Sequence, residues 1–191
     1  FLVDKYGRRP ILIWGMVGGR SDLGPPLWPP CKVSPMAGSP ALEMTVLMSP
    51  DMANFSGKVH GGALLNLLDR VAFSCASRYS EKYCVTLSVD QVTFNESIRV
   101  GELVTFRAAV NFTGRSSMEI GIRVEAEDIR TGDIRHTNSC YFTMVAVDEN
   151  GKSSPVHPIR PVDDVGLRRH QTAAMRRELR QEFAQRFAAA S

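Results

Sequence analysis

The sequence is short of several features that would each have pointed to a chemistry. It has only four cysteines and four histidines in 191 residues. Cys31, Cys75, Cys84 and Cys140 show no C-x-x-C spacing and no nearby histidine pairing. They read as buried free thiols of a reducing compartment, not as a disulfide frame or a zinc site. His60, His136, His157 and His170 are scattered along the chain, so no metal site is expected. No Walker or Rossmann glycine pattern occurs, and neither ATP nor NAD is implied. The apolar run from Ile11 to Gly19 is far shorter than the roughly 20 residues that span a bilayer, and no second such run follows it. A membrane transporter is thereby excluded. The net charge of +3 is too mild to imply nucleic acid. The arginine-rich segment near the C-terminus has no partner helix with which to read DNA.

A 43% hydrophobic content and 191 residues suit one globular domain. Residues 1–40 are unlike the rest. Eight of the eleven prolines fall within the first fifty residues, and the Pro-rich stretch 25–30 can continue neither a helix nor a central strand. Asp4 to Pro10 is similar to a short loop motif of sugar-porter transporters. The chain opens on Phe1, which reads as an incomplete reading frame. Three readings of 1–40 stand side by side: a poorly ordered extension, a targeting peptide, or a gene-model artefact. Asp4 and Asp22 weigh against a mitochondrial presequence. The expected organisation is a non-domain extension over 1–40, a domain over 41–160, and a C-terminal extension over 161–191.

Within 41–160 the pattern is clear. Ala41 to Met48 reads as a strand closed by Ser49-Pro50. A polar loop over 49–60 precedes a helix over about 61–79, and four strands follow. Residues 84–96 switch parity between Val89 and Val92, which predicts a bulge near Asp90-Gln91. Residues 102–113 alternate Val104, Phe106, Ala108, Val110 and Phe112 against Thr105, Arg107 and Asn111. Residues 117–129 set Met118, Ile120, Ile122 and Val124 against Glu119, Arg123 and Glu125. A Thr131-Gly132-Asp133 turn leads into 134–147, with Cys140, Phe142, Met144 and Ala146 on one face. Period-2 strands with one polar face predict an antiparallel sheet packed on one side by the long helix, an α+β fold. After an Asn150-Gly151 turn, Pro155, Pro158 and Pro161 hold an extended tail. A helix over 168–188 then carries Met175, Leu179, Phe183 and Phe187 at i+4 steps. Its arginines read as a solvated face, or alternatively as a lid or arm reaching an anionic ligand.

The stretch from Asp51 to Ala72 holds the candidate site. On a helical wheel Leu64, Leu68, Val71, Ala72, Cys75 and Tyr79 form the apolar stripe, with Asn66, Arg70 and Ser77 opposite. Asp69 falls at the margin, beside Leu65, Ala72 and Ala76. A carboxylate there is half-desolvated, as a general base requires. The competing reading is an ordinary surface carboxylate. Gly61 and Gly62 open the helix, where free N–H groups can face a polarised carbonyl oxygen.

Ala53-Asn54-Phe55-Ser56-Gly57-Lys58-Val59-His60-Gly61-Gly62 followed by Asp69-Arg70-Val71-Ala72 resembles the active-site loop and central helix of the hotdog-fold acyl-CoA thioesterases, in their long-chain acyl-CoA hydrolase branch. The resemblance covers roughly residues 40–160. It implies an antiparallel sheet wrapped around one central helix, and hydrolysis of a fatty acyl-CoA to fatty acid and CoA. It implies Asp69 as the catalytic base or nucleophile, assisted by Asn54 of a partner subunit. His60 would position the loop, and the Gly61 and Gly62 amides would polarise the carbonyl. Thr113-Gly114-Arg115-Ser116-Ser117 resembles the family's hairpin that meets CoA, and an ordinary hairpin turn is its competing reading. Acyl-CoA and CoA are the expected partners, with no separate cofactor. A homodimer or trimer of dimers with shared sites is implied. The expected compartment is cytoplasmic, with mitochondrial left open. A non-catalytic acyl-CoA-binding hotdog protein and a hotdog hydratase or dehydratase using His60 with Asp69 are the alternatives.

Overall fold

Alternation in the sequence becomes pleat in the structure. A computed structural model describes residues 41–190; the expectations for 1–40, Cys31 among them, lie outside the described residues. Five strands form one wholly antiparallel sheet: β1 (Ala41–Leu47), β2 (Tyr83–Val89), β3 (Leu103–Thr113), β4 (Ser117–Asp128) and β5 (Asp133–Val147). Their spatial order is β1-β3-β4-β5-β2, which leaves β1 and β2 as edges. Helix α1 (Gly61–Ser80) lies between β1 and β2 in sequence, and helix α2 (Asp164–Ala190) ends the described chain.

From Val104 to Val110 in β3, Met118 to Ala126 in β4 and Asn138 to Ala146 in β5, the even-numbered residues face α1 and are dry. Ile134 and His136 at the start of β5 are exposed. Phe112, expected on the inner side, lies past a register shift after Val110 and meets α2 instead. Phe106, Val104, Ile120, Val124, Phe142 and Met144 are all essentially inaccessible to water. From α1, Leu64, Leu67, Leu68, Val71, Ala72, Cys75 and Ala76 meet them. Burying a side chain of this size stabilises by about 1.5–3 kcal/mol. The inner layer is therefore the main source of stability.

Three further expectations need correction. The strand expected over 84–96 ends at Val89, and the register shift lies between Thr86 and Ser88, not at Asp90-Gln91. The parity switch is real, but an edge strand with one neighbour stops where its partner bonds stop. Ser77 is not on a solvated side, because its hydroxyl is shut away from water. The largest correction concerns α2. Arg168, Arg169, Arg177 and Arg186 are exposed as expected, but Arg176 and Arg180 are not on a solvated face. Arg176 and Arg180 reach down to the outer face of the sheet and bond Glu119 at 2.6 and 3.1 Å, and Arg180 also bonds Asp90 at 2.6 Å. Arg176 stacks 3.6 Å over the Tyr141 ring, and His170 packs on Phe112. Glu119 and Asn111, expected on the polar side of the sheet, are buried as a result. The apolar stripe Met175, Leu179 and Phe183 points outward.

Candidate active site

The loop before α1 is a small hairpin of its own. Ala53 bridges Val59, and the Asn54 N–H bonds the Lys58 carbonyl. The Asn54 Oδ1 accepts from the Ser56 amide, the Ser56 hydroxyl and the Lys58 amide at 2.9, 2.7 and 3.2 Å. Three donors converging on one atom fix which way the amide points. The Nδ2 group is left with no acceptor among the described residues. Phe55, at the tip, is fully exposed.

His60 is the N-cap of α1, and its Nδ1 accepts from the Gly62 N–H at 2.9 Å. The sequence suggested Gly61 and Gly62 as a pair of free donors. Gly62 is not free, because a capping side chain takes one of the orphan amides of a helix start. The amides of Gly61 and Ala63 are the ones without an acceptor among the described residues. Ala63 was not foreseen, since which amide a cap consumes depends on the rotamer of His60. The ring of Phe94 lies over Gly61, where an added Cβ would meet it at 3.6 Å. Phe94 also lines a cleft of about 240 Å3 with Asn54, Lys58, Val59 and Leu64.

Asp69 lies two turns further along, on the side of α1 that runs beside the edge strand β2. Phe73 makes an edge-on ring contact with Tyr83. One turn back, the Thr86 hydroxyl donates to the Asp69 Oδ1 at 2.6 Å, the length of a charge-assisted bond. Oδ2 keeps its lone pairs free among the described residues. Asp69 was expected to be half-desolvated; it is exposed, because among the described residues none lies beyond β2 to cover it. Thr86 was missed by sequence reasoning. A threonine in a strand is unremarkable until the helix carboxylate it holds is known.

Asn54 and Asp69 do not share the same cleft within one chain. The segment from Gly114 to Ser117 is also elsewhere, in the turn between β3 and β4. Its backbone is bonded by β5 and the tail, with Ala146 donating to the Ser116 carbonyl and Val156 to the Arg115 carbonyl. A Cβ at Gly114 would lie 2.7 Å from the Ser117 hydroxyl, so any larger residue would displace that side chain. Arg115 is exposed, with no carboxylate partner among the described residues.

A five-stranded antiparallel sheet closed over one central helix, with a carboxylate on that helix, is the hotdog arrangement. The Thioesterase superfamily profile matches residues 56–132. The chain is 54% identical over 139 residues to Protein VdlD of Helicobacter pylori, covering 73% of this chain and 79% of that one. It superposes on a hexameric acyl-CoA thioesterase with a TM-score of 0.74 at 35% identity, over 76% of this chain and 94% of that one. A Staphylococcus aureus acyl-CoA hydrolase solved with butyryl coenzyme A and coenzyme A matches with a TM-score of 0.72 at 28% identity, over 79% and 91% of the two chains. The chain belongs to the thioesterase superfamily, and within it to the hotdog-fold acyl-CoA thioesterases. Variants of the S. aureus enzyme replace an asparagine, an aspartate and a threonine by alanine, at positions 15 and then 17 residues apart. Asn54, Asp69 and Thr86 have the same residue types at the same spacings.

Proposed function

We propose that this acyl-CoA thioester hydrolase cleaves fatty acyl-CoA to a fatty acid and CoA, with Asp69 as general base or nucleophile. The observation that carries this is the Thr86–Asp69 hydrogen bond of 2.6 Å, which aims a carboxylate with one free oxygen across the edge of the sheet. In the base reading, Asp69 takes a proton from water and the hydroxide adds to the thioester carbonyl carbon. The oxyanion forms against the Gly61 amide of the second copy, since Gly61 and Asp69 of one helix stand about 12 Å apart; the helix dipole and a free N–H there favour negative charge. The C–S bond then breaks, and the thiolate recovers the proton. In the nucleophile reading, Oδ2 itself adds, expels the thiolate, and leaves an anhydride that water opens. Thr86 orients the carboxylate in either case.

The site is shared between two chains in this reading. Tyr83, Val85, Leu87 and Val89 expose an apolar edge on β2, and the loop that carries Asn54 is tipped by the exposed Phe55. Surfaces of this kind call for a partner, and a second copy supplies Asn54 to Asp69. A dimer, or a trimer of dimers, meets that requirement. Arg115 with Gly114, Ser116 and Ser117 would meet the CoA phosphates by its guanidinium. The acyl chain would enter beside Phe94. The hydratase alternative draws little support, since the Nδ1 of His60 already caps the helix.

The test is steady-state hydrolysis of CoA thioesters from acetyl to palmitoyl. Asp69→Asn is expected to lower kcat by at least about 10²-fold, the low end for general-base catalysis, with KM little changed. Thr86→Ala lowers kcat less, since it frees the carboxylate without removing it. Near-normal kcat in Asp69→Asn would remove Asp69 from the mechanism. Mixing Asn54→Ala chains with Asp69→Ala chains, after dissociation, restores part of the activity if the site is shared; mixed dimers without rescue would refute sharing.

A further inference from the structure

Helix α2 is longer than the sheet it crosses. His170 packs on Phe112 of β3, and Arg176 bonds Glu119 of β4 and stacks on Tyr141 of β5. Arg180 bonds Glu119 and also Asp90, just past the end of the edge strand β2. Phe112 and Glu119 are register partners, and the Asp90 amide bonds the Tyr141 carbonyl, so these anchors lie in a row across the strands. From His170 to Arg180 the helix rises about 15 Å. The three strand spacings from β3 to β2 come to about the same length. At Arg180 the helix has therefore reached the edge of the sheet. It continues to Ala190, about 15 Å further, and residues 181–189 are all exposed.

What the helix presents changes where the sheet ends. Phe183 follows Arg176 by seven residues, and Phe187 follows Arg180 by seven. Seven residues fall about 20° short of two full turns. The side that carries the two arginines onto the sheet thus carries the two phenylalanines beyond it. Their rings meet at 5.0 Å, and Phe183 is 65% exposed. Met175 lies about 80° round the helix from Phe183, turned away from the sheet. A lipid surface would be met by that outer side, whereas Phe183 and Phe187 are turned toward the plane of the sheet. Along β2 the alternation puts Cys84 inward and Val85 on the outer face, where Val85 stays partly open to water. A second β2 paired antiparallel to the first would carry this outer face on beneath the overhanging helix.

We propose that the last turns of α2 are a clasp between two copies of this chain. The clasp rests on the pairing of the two β2 edges given under Proposed function. By the two-fold symmetry of such a pair, each helix lays Phe183 and Phe187 on the outer face of the other copy, beside its Val85. Arginines anchor each helix to its own sheet, and aromatic rings anchor it to the neighbour. Asn54 and Asp69 meet across this same edge, so the clasp also holds the shared site together.

The test mixes isotope-labelled with unlabelled full chain and follows mixed assemblies by native mass spectrometry. The unaltered chain is compared with Phe183→Gln/Phe187→Gln, Phe183→Leu/Phe187→Leu and the control Met175→Gln/Leu179→Gln. The glutamine clasp variant is expected to exchange chains at least tenfold faster, since loss of buried aromatic anchors acts mainly on dissociation. The leucine variant falls between it and the unaltered chain, and the control exchanges at the unaltered rate. Activity lost on dilution is expected to decay faster by the same factor. Exchange equal within twofold, in a chain that is still dimeric, would overturn the clasp and leave the β2 pairing standing. An unaltered chain that is monomeric throughout would remove both. A glutamine variant that stops at stable dimers with unaltered exchange, where the unaltered chain is a hexamer, would place the rings between dimers and overturn the clasp. A lower melting temperature with unaltered exchange would seat the rings on their own chain and overturn it as well. Asp69→Asn, mixed in parallel, exchanges at the unaltered rate whether or not Asp69 is the base, so this result stands apart from the catalytic one.

Discussion

The two helices of this protein dock on the same sheet by opposite rules. Helix α1 turns its apolar side inward and buries Leu64, Leu68, Val71 and Cys75. Helix α2 turns Arg176 and Arg180 inward onto Glu119, Asp90 and Tyr141, and leaves Met175, Leu179 and Phe183 more than half exposed. Both helices show an apolar repeat in sequence. The repeat identifies which side of a helix is apolar; the partner surface decides which side docks. The inner face of the sheet offers Phe106, Ile120 and Phe142, whereas the outer face offers Glu119 and Tyr141. Ion pairs hold α2 where the hydrophobic effect holds α1, and the two attachments should fail differently.

The sharpest way to separate them is to cut one contact on each side. Leu68→Ala removes a side chain with no exposed surface from the centre of the inner layer. It is expected to cost about 2–5 kcal/mol, as cavity-forming substitutions do, and denaturant unfolding should show one cooperative loss. On the other side, Arg176→Ala/Arg180→Ala leaves Glu119 without a cation. The loss is capped, because α2 can lift and let water reach the carboxylate. About 1–3 kcal/mol is expected, the cost of orphaning a buried charged hydrogen bond. Hydrogen exchange should report it in α2 and the outer face of β4 while the amides of α1 stay protected. Equal loss of protection in α1 would mean that the two layers are one cooperative unit.

How much was legible beforehand follows the same division. Strands β3, β4 and β5 could be read because Val104, Ile120, Phe142 and their neighbours alternate with polar residues on a sheet wet on one side. Helix α1 and the loop carrying Asn54 could be read for the same reason and from the family's motif. Thr86 could not, since its role exists only where β2 passes Asp69, 17 residues along the chain. Glu119 and Asn111 could not either: alternation places them on the outer face, and only the docking of α2 makes that face dry. The end of β2 at Val89 was hidden because Val92 and Phe94 continue an apolar alternation after the chain has left the regular ladder with β5.

A third contrast lies at the start of β3. Glu102 is buried, yet Arg135 bonds both its oxygens at 3.0 and 2.7 Å, and the Arg99 amide adds a third bond at 2.8 Å. Burial pushes the carboxyl up; the Arg135 guanidinium and the Arg99 amide outweigh it and hold the group below the usual carboxylate range. A depressed folded value contributes stability above the ordinary value and loses it as pH falls through the folded one. Glu102→Gln should therefore be less stable than the parent at neutral pH, by about 1–2 kcal/mol for lost charge-assisted bonding. The gap should narrow as pH falls through and below the ordinary carboxylate range. A gap independent of pH down to the folded value would mean that the Glu102 charge plays no part.

The smallest effect is the most direct check on the comparison. If the outward stripe of α2 is wet, replacing it with polar residues of similar size costs little. Met175→Gln/Leu179→Gln acts on two side chains that are 61% and 62% exposed. Glutamine has nearly the helix propensity of either residue, so the expected change is within about 0.5 kcal/mol, as for surface positions generally. The same substitutions at Leu64 and Leu68 would bury two amides in the inner layer, and the fold would not survive them. Thermal unfolding and mass by light scattering are read together. A loss above about 1 kcal/mol, or a fall in oligomer mass, would show that another chain covers this stripe in solution. Both helices would then bury their apolar sides, α1 within its own chain and α2 between chains.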